Sequence, residues 1–299
     1  MNTQQTRQGI FCALGAYFIW GIAPAYFKFI QEVPPPEIMT HRVIWSFFFM
    51  LLLVSLTRHW PQVAVVLRQP KKVLLLACSG ALIAGNWLLF IWAVNNHHLL
   101  EASLGYFINP LINVLVGMLF LGERFRRLQW LAVALAACGV VVQLWKFGSI
   151  PLIALGLALS FSFYGLLRKK IAVDAQTGML LETSWLLPLA AIYLFGIADT
   201  PTSHMGNNSL SLNMLLIAAG IVTTIPLMLF TAAATRLRLS TVGFFQYLGP
   251  TLMFLLAVIF YGEAMTDDKV VTFSFIWLAL AIFILDALLS LRTLRTRVA

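Results

Sequence analysis

Long apolar runs dominate the chain, and short polar segments separate them. Most runs approach or exceed the roughly 20 apolar residues that a helix needs to cross about 30 Å of hydrocarbon. Lipid admits only helices and closed barrels, and these runs are too long and continuous for barrel strands. We therefore predict ten transmembrane helices, at residues 9–30, 37–57, 73–94, 101–122, 128–145, 151–167, 178–198, 212–234, 240–261 and 272–291.

The distribution of basic residues supports both the number of spans and their direction. With a cytoplasmic N-terminus, most of the 20 Lys and Arg residues fall on the cytoplasmic side, as the positive-inside rule requires. These residues are Arg7, Arg58, Arg68, Lys71, Lys72, Arg124, Arg126, Arg127, Arg168, Lys169, Lys170, Arg236, Arg238, Arg292, Arg295 and Arg297. A missed helix would scramble this alternation, so we expect both termini in the cytoplasm.

Composition excludes a water-soluble fold. Hydrophobic residues make up 61% of the 299 residues and charged residues only 10%, whereas soluble domains carry about 25% charged residues. The formal charge of +9 is explained by cytoplasmic loops, so the expected partner is a lipid bilayer and no nucleic acid. The cysteines Cys12, Cys78 and Cys138 lie inside apolar runs without a CxxC pair, which predicts neither a disulfide framework nor a zinc site.

The two halves of the chain resemble each other at an offset of 140 residues. The segment GYFINPLINVLVGMLFLGE (105–123) aligns with FQYLGPTLMFLLAVIFYGE (245–263), pairing Pro110 with Pro250 and Glu123 with Glu263. Each half holds five spans, and an odd number makes the second half enter the membrane from the opposite side. We therefore predict an all-α polytopic membrane protein of two inverted five-helix repeats, residues 1–147 and 148–299, an arrangement typical of secondary transporters.

Two ionisable residues lie well inside predicted spans. Arg42 follows the start of the second span, and Glu182, its partner at the repeat offset, follows the start of the seventh. A charge in hydrocarbon is costly, so each should face protein or water. Arg42 is a candidate contact for an anion or polar group, and Glu182 for a cation or proton. The alternative is that both side chains extend to the membrane surface.

Polar and aromatic residues supply further candidates for a central cavity. Asn109 and Tyr106 share one face of the fourth span with Asn113, and such a stripe either lines a wet cavity or joins helices. Pro110 and Pro250 are predicted helix breaks. Together with Arg42 and Glu182, the predicted cavity residues are Tyr17, Trp20, Asn86, Tyr106, Asn109, Tyr164, Gln246 and Tyr247.

Other polar residues are given structural roles. His97 and His98 with Glu101 are interpreted as a loop rather than a metal site, because no second ligand cluster accompanies them. Asp286 is expected to reach the membrane surface. The fifth and tenth spans carry almost no polar residue at their centres, so we expect them to face lipid or a second copy of the chain.

These motifs resemble a known family. The Arg of the second span, the paired Pro…GE segments and runs such as HRVIWSFFFM and GNWLLFIWAVNNHH are similar to the drug/metabolite transporter superfamily, and within it to the RarD-like permeases of the EamA family. The resemblance implies a permease of the bacterial inner membrane with a central cavity. Our leading hypothesis is a carrier that moves a small metabolite or drug-like molecule by alternating access, with export as the expected direction. We predict no cofactor, and a proton at Glu182 and a second copy of the chain in a homodimer are candidate partners.

A membrane enzyme is a second function class. It would need paired carboxylates, a Ser/His arrangement or a metal cluster, whereas the only carboxylates predicted to be buried in spans are Glu182 and Asp286. The sequence therefore predicts no catalytic residues. A channel or a receptor remains the alternative to a carrier.

Overall fold

The computed structural model describes residues 3–261 and 267–296. Across these two ranges all regular secondary structure is α-helical, and the helices are numbered in chain order. They are α1 (Thr3–Lys28), α2 (Pro35–Leu56), α3 (Trp60–Leu67), α4 (Pro70–Asn95), α5 (Leu99–Leu121), α6 (Arg127–Phe147), α7 (Leu152–Ile171), α8 (Ala175–Gly196), α9 (Leu210–Arg236), α10 (Leu239–Gln246), α11 (Leu248–Tyr261) and α12 (Asp267–Thr296).

Ten spans of the described chain are long and apolar enough to cross a membrane. They are α1, α2, α4 to α9, the segment formed by α10 and α11, and α12. This confirms the predicted all-α class with ten spans. The short helix α3 was not predicted, because its eight residues are too few to cross a bilayer.

Neither of the two predicted helix breaks lies at its proline. α5 continues through Pro110, so the helix break expected there is wrong. In the ninth span α10 ends at Gln246 and α11 begins at Leu248, so the interruption lies before Pro250 rather than at it. Neighbouring helices can support the backbone around a proline in a span. Here α10 packs closely on α5, and a Cβ on Gly243 would lie only 3.0 Å from the Pro110 carbonyl oxygen.

The turn from α5 towards α6 is fixed by a glycine and a carboxylate. Gly122 ends α5 with a φ of 64°, a left-handed conformation that glycine adopts without a steric penalty. The following Glu123 accepts a 2.6 Å hydrogen bond from the Leu239 amide and a 3.1 Å bond from the Ser240 amide at the start of α10. A carboxylate is favourable at a helix N-terminus. Glu263, its repeat partner, lies outside the described residues.

The helices meet in pairs that involve both halves of the chain. α1 packs on α9 and α4 packs on α7, while α2 packs on α8, α5 on α10 and α6 on α12. Each of these contacts joins a helix of the first five spans to a helix of the last five. The core of the bundle is therefore shared between the halves.

The fifth and tenth spans, α6 and α12, form a pair at the edge of the bundle. They approach closely at Gly139, where a Cβ would lie 3.2 Å from the Thr272 carbonyl oxygen. The opposite side of α6 exposes Val141 and Trp145. This placement agrees with the expected supporting role of these two spans.

Asp286 on α12 corrects a prediction. It was expected to extend to the membrane surface, but it is buried against α6, and its carboxylate lies 2.9 Å from Nη2 of Arg126. Arg126 itself is half-exposed. The ion pair lets the carboxylate remain inside the protein instead of reaching for water.

Candidate functional site

A cavity lies between the two halves, nearer one end of the bundle than the other. We call the end where residues 29–34 join α1 to α2 the first-loop end, and the opposite end, where α2 ends and α4 begins, the basic end. The cavity has a volume of about 430 Å³, within the range of about 300–1,000 Å³ found for small-molecule pockets. Its lining comes from the halves of α1, α2, α4, α5 and α7 nearer the first-loop end, together with α9 to α11.

Most of the predicted cavity residues line this space. They are Tyr17, Trp20, Arg42, Asn86, Tyr106, Asn109 and Gln246, and Pro250, predicted as a helix break, lies with them. Four further aromatic residues lie with them, namely Phe27, Trp87, Phe90 and Phe161. Arg42 is the only charged residue in the described lining. The wall is therefore largely apolar and rich in aromatic rings, with three amides and one cation.

Arg42 is held by aromatic rings and one hydroxyl. Its Nε donates a 2.8 Å hydrogen bond to Oγ1 of Thr223 on α9. Its Cζ lies 4.5 Å from the ring centre of Trp87 and 5.5 Å from that of Phe27, both within the range of cation–π attraction. Among the residues that the structure describes, no carboxylate lies within ion-pair distance of Arg42. Its two terminal nitrogens also make no hydrogen bond within the described chain, so their donors are free.

Two of the three amides, those of Asn109 and Gln246, are positioned by one hydrogen-bond network on the cavity wall. Nδ2 of Asn113 donates to Oδ1 of Asn109 over 3.2 Å and to Oε1 of Gln246 over 3.0 Å. Ser162 also donates to Oδ1 of Asn109, over 3.1 Å. Within the described chain the amide nitrogens of Asn109 and Gln246 make no hydrogen bond, so both remain available as donors. Asn113 thus acts as the internal bridge between these two cavity residues.

Asn86 makes its hydrogen bonds through its amide nitrogen, whereas Asn109 and Gln246 make theirs through their amide oxygens. Its Nδ2 donates to the Leu157 carbonyl oxygen over 2.8 Å and to Oγ of Ser160 over 2.9 Å. These bonds join α4 to α7 and leave the amide oxygen of Asn86 as an acceptor. The polar stripe predicted on α5 likewise does both, because Tyr106 and Asn109 line the cavity while Asn113 bonds to Gln246 on α10.

Glu182 does not line the cavity, although the sequence analysis placed it there with Tyr164. Both belong to a buried cluster nearer the basic end, which we call the basic-end cluster: Ser79, Tyr164, Arg168, Glu182 and Thr231. Nη1 of Arg168 lies 3.4 Å from Oε1 of Glu182, and Nε of Arg168 donates to Thr231 over 3.3 Å. The Ser79 hydroxyl donates to the same carboxylate, and the Tyr164 hydroxyl donates to it over 3.4 Å.

The cluster explains why Glu182 is buried rather than facing water. A carboxylate in a span needs an opposite charge or hydrogen-bond donors, and Arg168, Ser79 and Tyr164 supply both. Arg168 was not predicted as a site residue, because it stands in the run Arg168–Lys170, which was assigned to a cytoplasmic loop. The signal that could have found it is Glu182 itself, a lone acid in a span that requires a nearby cation.

Glycine makes room for the buried arginine. An added Cβ at Gly178, one turn before Glu182 on α8, would lie 2.0 Å from Nη1 of Arg168. Any larger residue would push the guanidinium away from the carboxylate. The sequence of α8 therefore accommodates the ion pair as well as supplying its acid.

An aromatic layer separates the cavity from the basic-end cluster. Phe230 lies at its centre, with ring centroids 4.9 Å from Phe161, 6.0 Å from Trp20 and 6.4 Å from Tyr17. Tyr164 stacks on Phe230 at 5.9 Å and connects the layer to Glu182. We call Tyr17, Trp20, Phe161 and Phe230 the aromatic layer. Tyr17, Trp20 and Phe161 line the cavity, so the layer forms its floor.

Tyr247 and Pro110 are also absent from the described cavity lining. Tyr247 is fully buried at the interruption between α10 and α11, and its hydroxyl donates to the Phe107 carbonyl oxygen over 3.2 Å. Pro110 lies on the side of α5 that contacts Gly243. Both hold α5 against α10 and α11.

Comparisons with known proteins agree with this architecture. The model of the EamA-like transporter family matches residues 7–145. The chain is 74% identical to "Protein RarD" of Salmonella typhimurium, covering 98% of this chain and 99% of that protein. It is 60% identical to an "Uncharacterized transporter" of Vibrio cholerae, over 96% and 95% of the two chains, and 36% identical to the "Chloramphenicol-sensitive protein RarD" of Pseudomonas aeruginosa, over 91% and 92%.

A solved structure shares the fold. One crystal structure of another protein matches with a TM-score of 0.68 and 22% identity, covering 94% of this chain and 98% of that chain. At this identity the likeness shows the fold alone.

The ten spans, the cavity between the halves and these relatives define a multi-pass membrane transporter rather than an enzyme. The chain belongs to the EamA-like transporter family.

Proposed function

We propose that this transporter carries a small molecule by alternating access, with the 430 Å³ cavity as its binding site. The observation that carries the proposal is the asymmetry between the two ends of the bundle. The cavity lies nearer the first-loop end, while the aromatic layer and the basic-end cluster fill the space towards the other end. A carrier in one of its two states has this arrangement.

The packing of the helices supports an inverted repeat. At the 140-residue offset α1 corresponds to α7 and α4 corresponds to α9, so the contact of α1 with α9 has its counterpart in that of α7 with α4. The contacts of α2 with α8, α5 with α10 and α6 with α12 each join a helix to its own counterpart. The bond between Tyr247 and Phe107 also spans 140 residues. A two-fold axis relating residues 1–147 to 148–299 would produce such a pattern.

In this mechanism the basic-end cluster closes one side. It joins four helices, because Ser79 lies on α4, Tyr164 and Arg168 on α7, Glu182 on α8 and Thr231 on α9. Opening the basic end requires Glu182 to leave Arg168 and Ser79. Protonation of Glu182 would remove the charge that holds Arg168, so this carboxyl is the proposed site for a coupled proton.

Site-directed labelling tests alternating access without knowledge of the substrate. In a background in which Cys12, Cys78 and Cys138 are replaced, a single cysteine is placed at Met253 in the cavity wall. A membrane-impermeant thiol reagent is then applied to right-side-out and inverted vesicles. The matched control is a cysteine at Trp145, which is 87% exposed on the outer face of α6.

We expect the Met253 site to react from the periplasmic side, which is the first-loop end if both termini are cytoplasmic. Adding Glu182→Gln should shift its reactivity to the cytoplasmic side, because a neutral amide cannot hold Arg168. Simultaneous reactivity from both sides would indicate a channel. Reactivity from one side only, unchanged by Glu182→Gln, would indicate a receptor and contradict the proposal.

A further inference from the structure

The cavity lining carries a positive charge without a negative one, and this indicates the charge of its ligand. Arg42 contributes a positive charge, and no Asp or Glu occurs among the described lining residues. A cation withdrawn from water is stabilised by a nearby anion. Rings and Thr223 hold Arg42 in place, but neither supplies that anion. The position next to its terminal nitrogens therefore suits a negatively charged group.

The amides of the cavity wall also favour an anionic ligand. The amide nitrogens of Asn109 and Gln246 are donors without partners in the described chain, whereas Asn86 offers one acceptor. Donors therefore outnumber acceptors along the polar part of the wall. A carboxylate or sulfonate, which accepts hydrogen bonds and donates none, fits this set.

The remaining wall indicates the body of the ligand. Trp20, Phe90, Phe161 and Tyr106 present apolar surface, and Trp87 already stacks with Arg42. Flat rings pack well against such walls. A second cation would lose the face of Trp87 to Arg42 and would be repelled by the guanidinium.

We propose that the transported ligand is an organic monoanion with an aromatic body, whose acidic group binds Arg42 and the free amide donors of Asn109 and Gln246. This inference rests on the proposed transport function and names its substrate class. It separates monoanions from cations and zwitterions, because an ammonium group finds no carboxylate in the described lining.

A set of probes that share a naphthyl ring and differ in the charge of their polar group tests the proposal. The purified transporter in detergent is titrated by calorimetry with 1-naphthylacetate, 1-naphthylacetamide, 1-naphthylmethylamine and 1-naphthylalanine. We expect the anion to bind about 10- to 100-fold more tightly than the neutral amide, the factor that a hydrogen-bonded charge typically contributes. The amine and the zwitterion should bind more weakly than the anion.

Variants of Arg42 test whether the cavity determines the preference for the anion. Arg42→Gln should bring the affinity for 1-naphthylacetate down to that for the acetamide, while Arg42→Lys should keep part of the difference, because an ammonium retains charge without the planar fork. The matched control is Arg68→Gln, which removes an exposed arginine at the end of α3. Its affinity for the anion should be unchanged.

Asn109→Asp supplies a second variant whose fold is expected to be retained. The aspartate keeps the oxygen that accepts from Asn113 and Ser162 and replaces the free donor with a negative charge. This variant should bind 1-naphthylacetate more weakly and 1-naphthylmethylamine more tightly than the unchanged protein does.

Three outcomes would overturn the proposed substrate class: equal affinities for the four probes, absence of anion binding, or an anion preference that survives Arg42→Gln. Labelling of the Met253 site would still report alternating access, so the two failures are distinguishable.

Discussion

Two arginines in the spans have opposite surroundings. Arg168 is fully buried and lies 3.4 Å from the Glu182 carboxylate, whereas Arg42 is half-buried beside Trp87 with its terminal donors free. A buried pair is sensitive to the loss of one partner, because the other charge is left uncompensated. The first arginine is therefore part of a buried ion pair, which in the proposed cycle closes the basic end, whereas the second has donors available to a ligand.

Arg168→Gln and Glu182→Gln should each lower the free energy of unfolding by about 3–5 kcal/mol, since each leaves one buried charge alone. The double variant should lose less than the sum of the two single variants, because no uncompensated charge remains. Unfolding in mixed micelles with increasing SDS measures this. Additive losses would show that the two groups are not coupled and would contradict the ion pair.

At the scale of helices, α2 and α9 approach each other closely at Gly220. A Cβ on Gly220 would lie 2.4 Å from the Trp45 carbonyl carbon, and Ser46 donates a 3.1 Å hydrogen bond to the Gly220 carbonyl oxygen. A backbone atom cannot move aside as a flexible side chain can. The two helices therefore depend on this glycine to place Arg42 next to Thr223.

Gly220→Ala should separate α2 from α9 and destabilise the protein by about 1–3 kcal/mol, the usual cost of overpacking. Gly85→Ala is the matched control on α4, because a Cβ there meets nothing within 4 Å. Melting temperatures in detergent compare the two variants. A Gly220→Ala protein as stable as Gly85→Ala would show that the contact is less close than described.

The elements also show how far the sequence could predict this molecule. The ten spans follow from the length of apolar runs, and Arg42, Asn86 and Asn109 were found because polar groups in spans are uncommon. The pairing of Glu182 with Arg168 was not predicted, because apolar periodicity does not tell which helix faces meet. The interruption before Pro250 was misplaced for the same reason, since the packing of α10 on α5 decides where the ninth span breaks.

At the scale of the whole molecule, helices from both halves of the chain line the cavity. α1 and α7 correspond at the repeat offset and both line the cavity, through Tyr17 and Trp20 on one side and Phe161 on the other. Inverted repeats can exchange their conformations, which converts a state closed at one end into a state closed at the other. The proposed transport cycle is this exchange, with the basic-end cluster broken in the second state.

The distance between α1 and α7 at the two ends tests this cycle most directly. Spin labels at Gln5 and Lys170 report on the basic end, and labels at Phe29 and Leu152 report on the first-loop end; all four side chains are exposed. Double electron–electron resonance is measured in lipid nanodiscs with and without Glu182→Gln. We predict that the variant lengthens the basic-end distance and shortens the first-loop distance. Equal distances in both proteins, or lengthening at both ends together, would contradict alternating access.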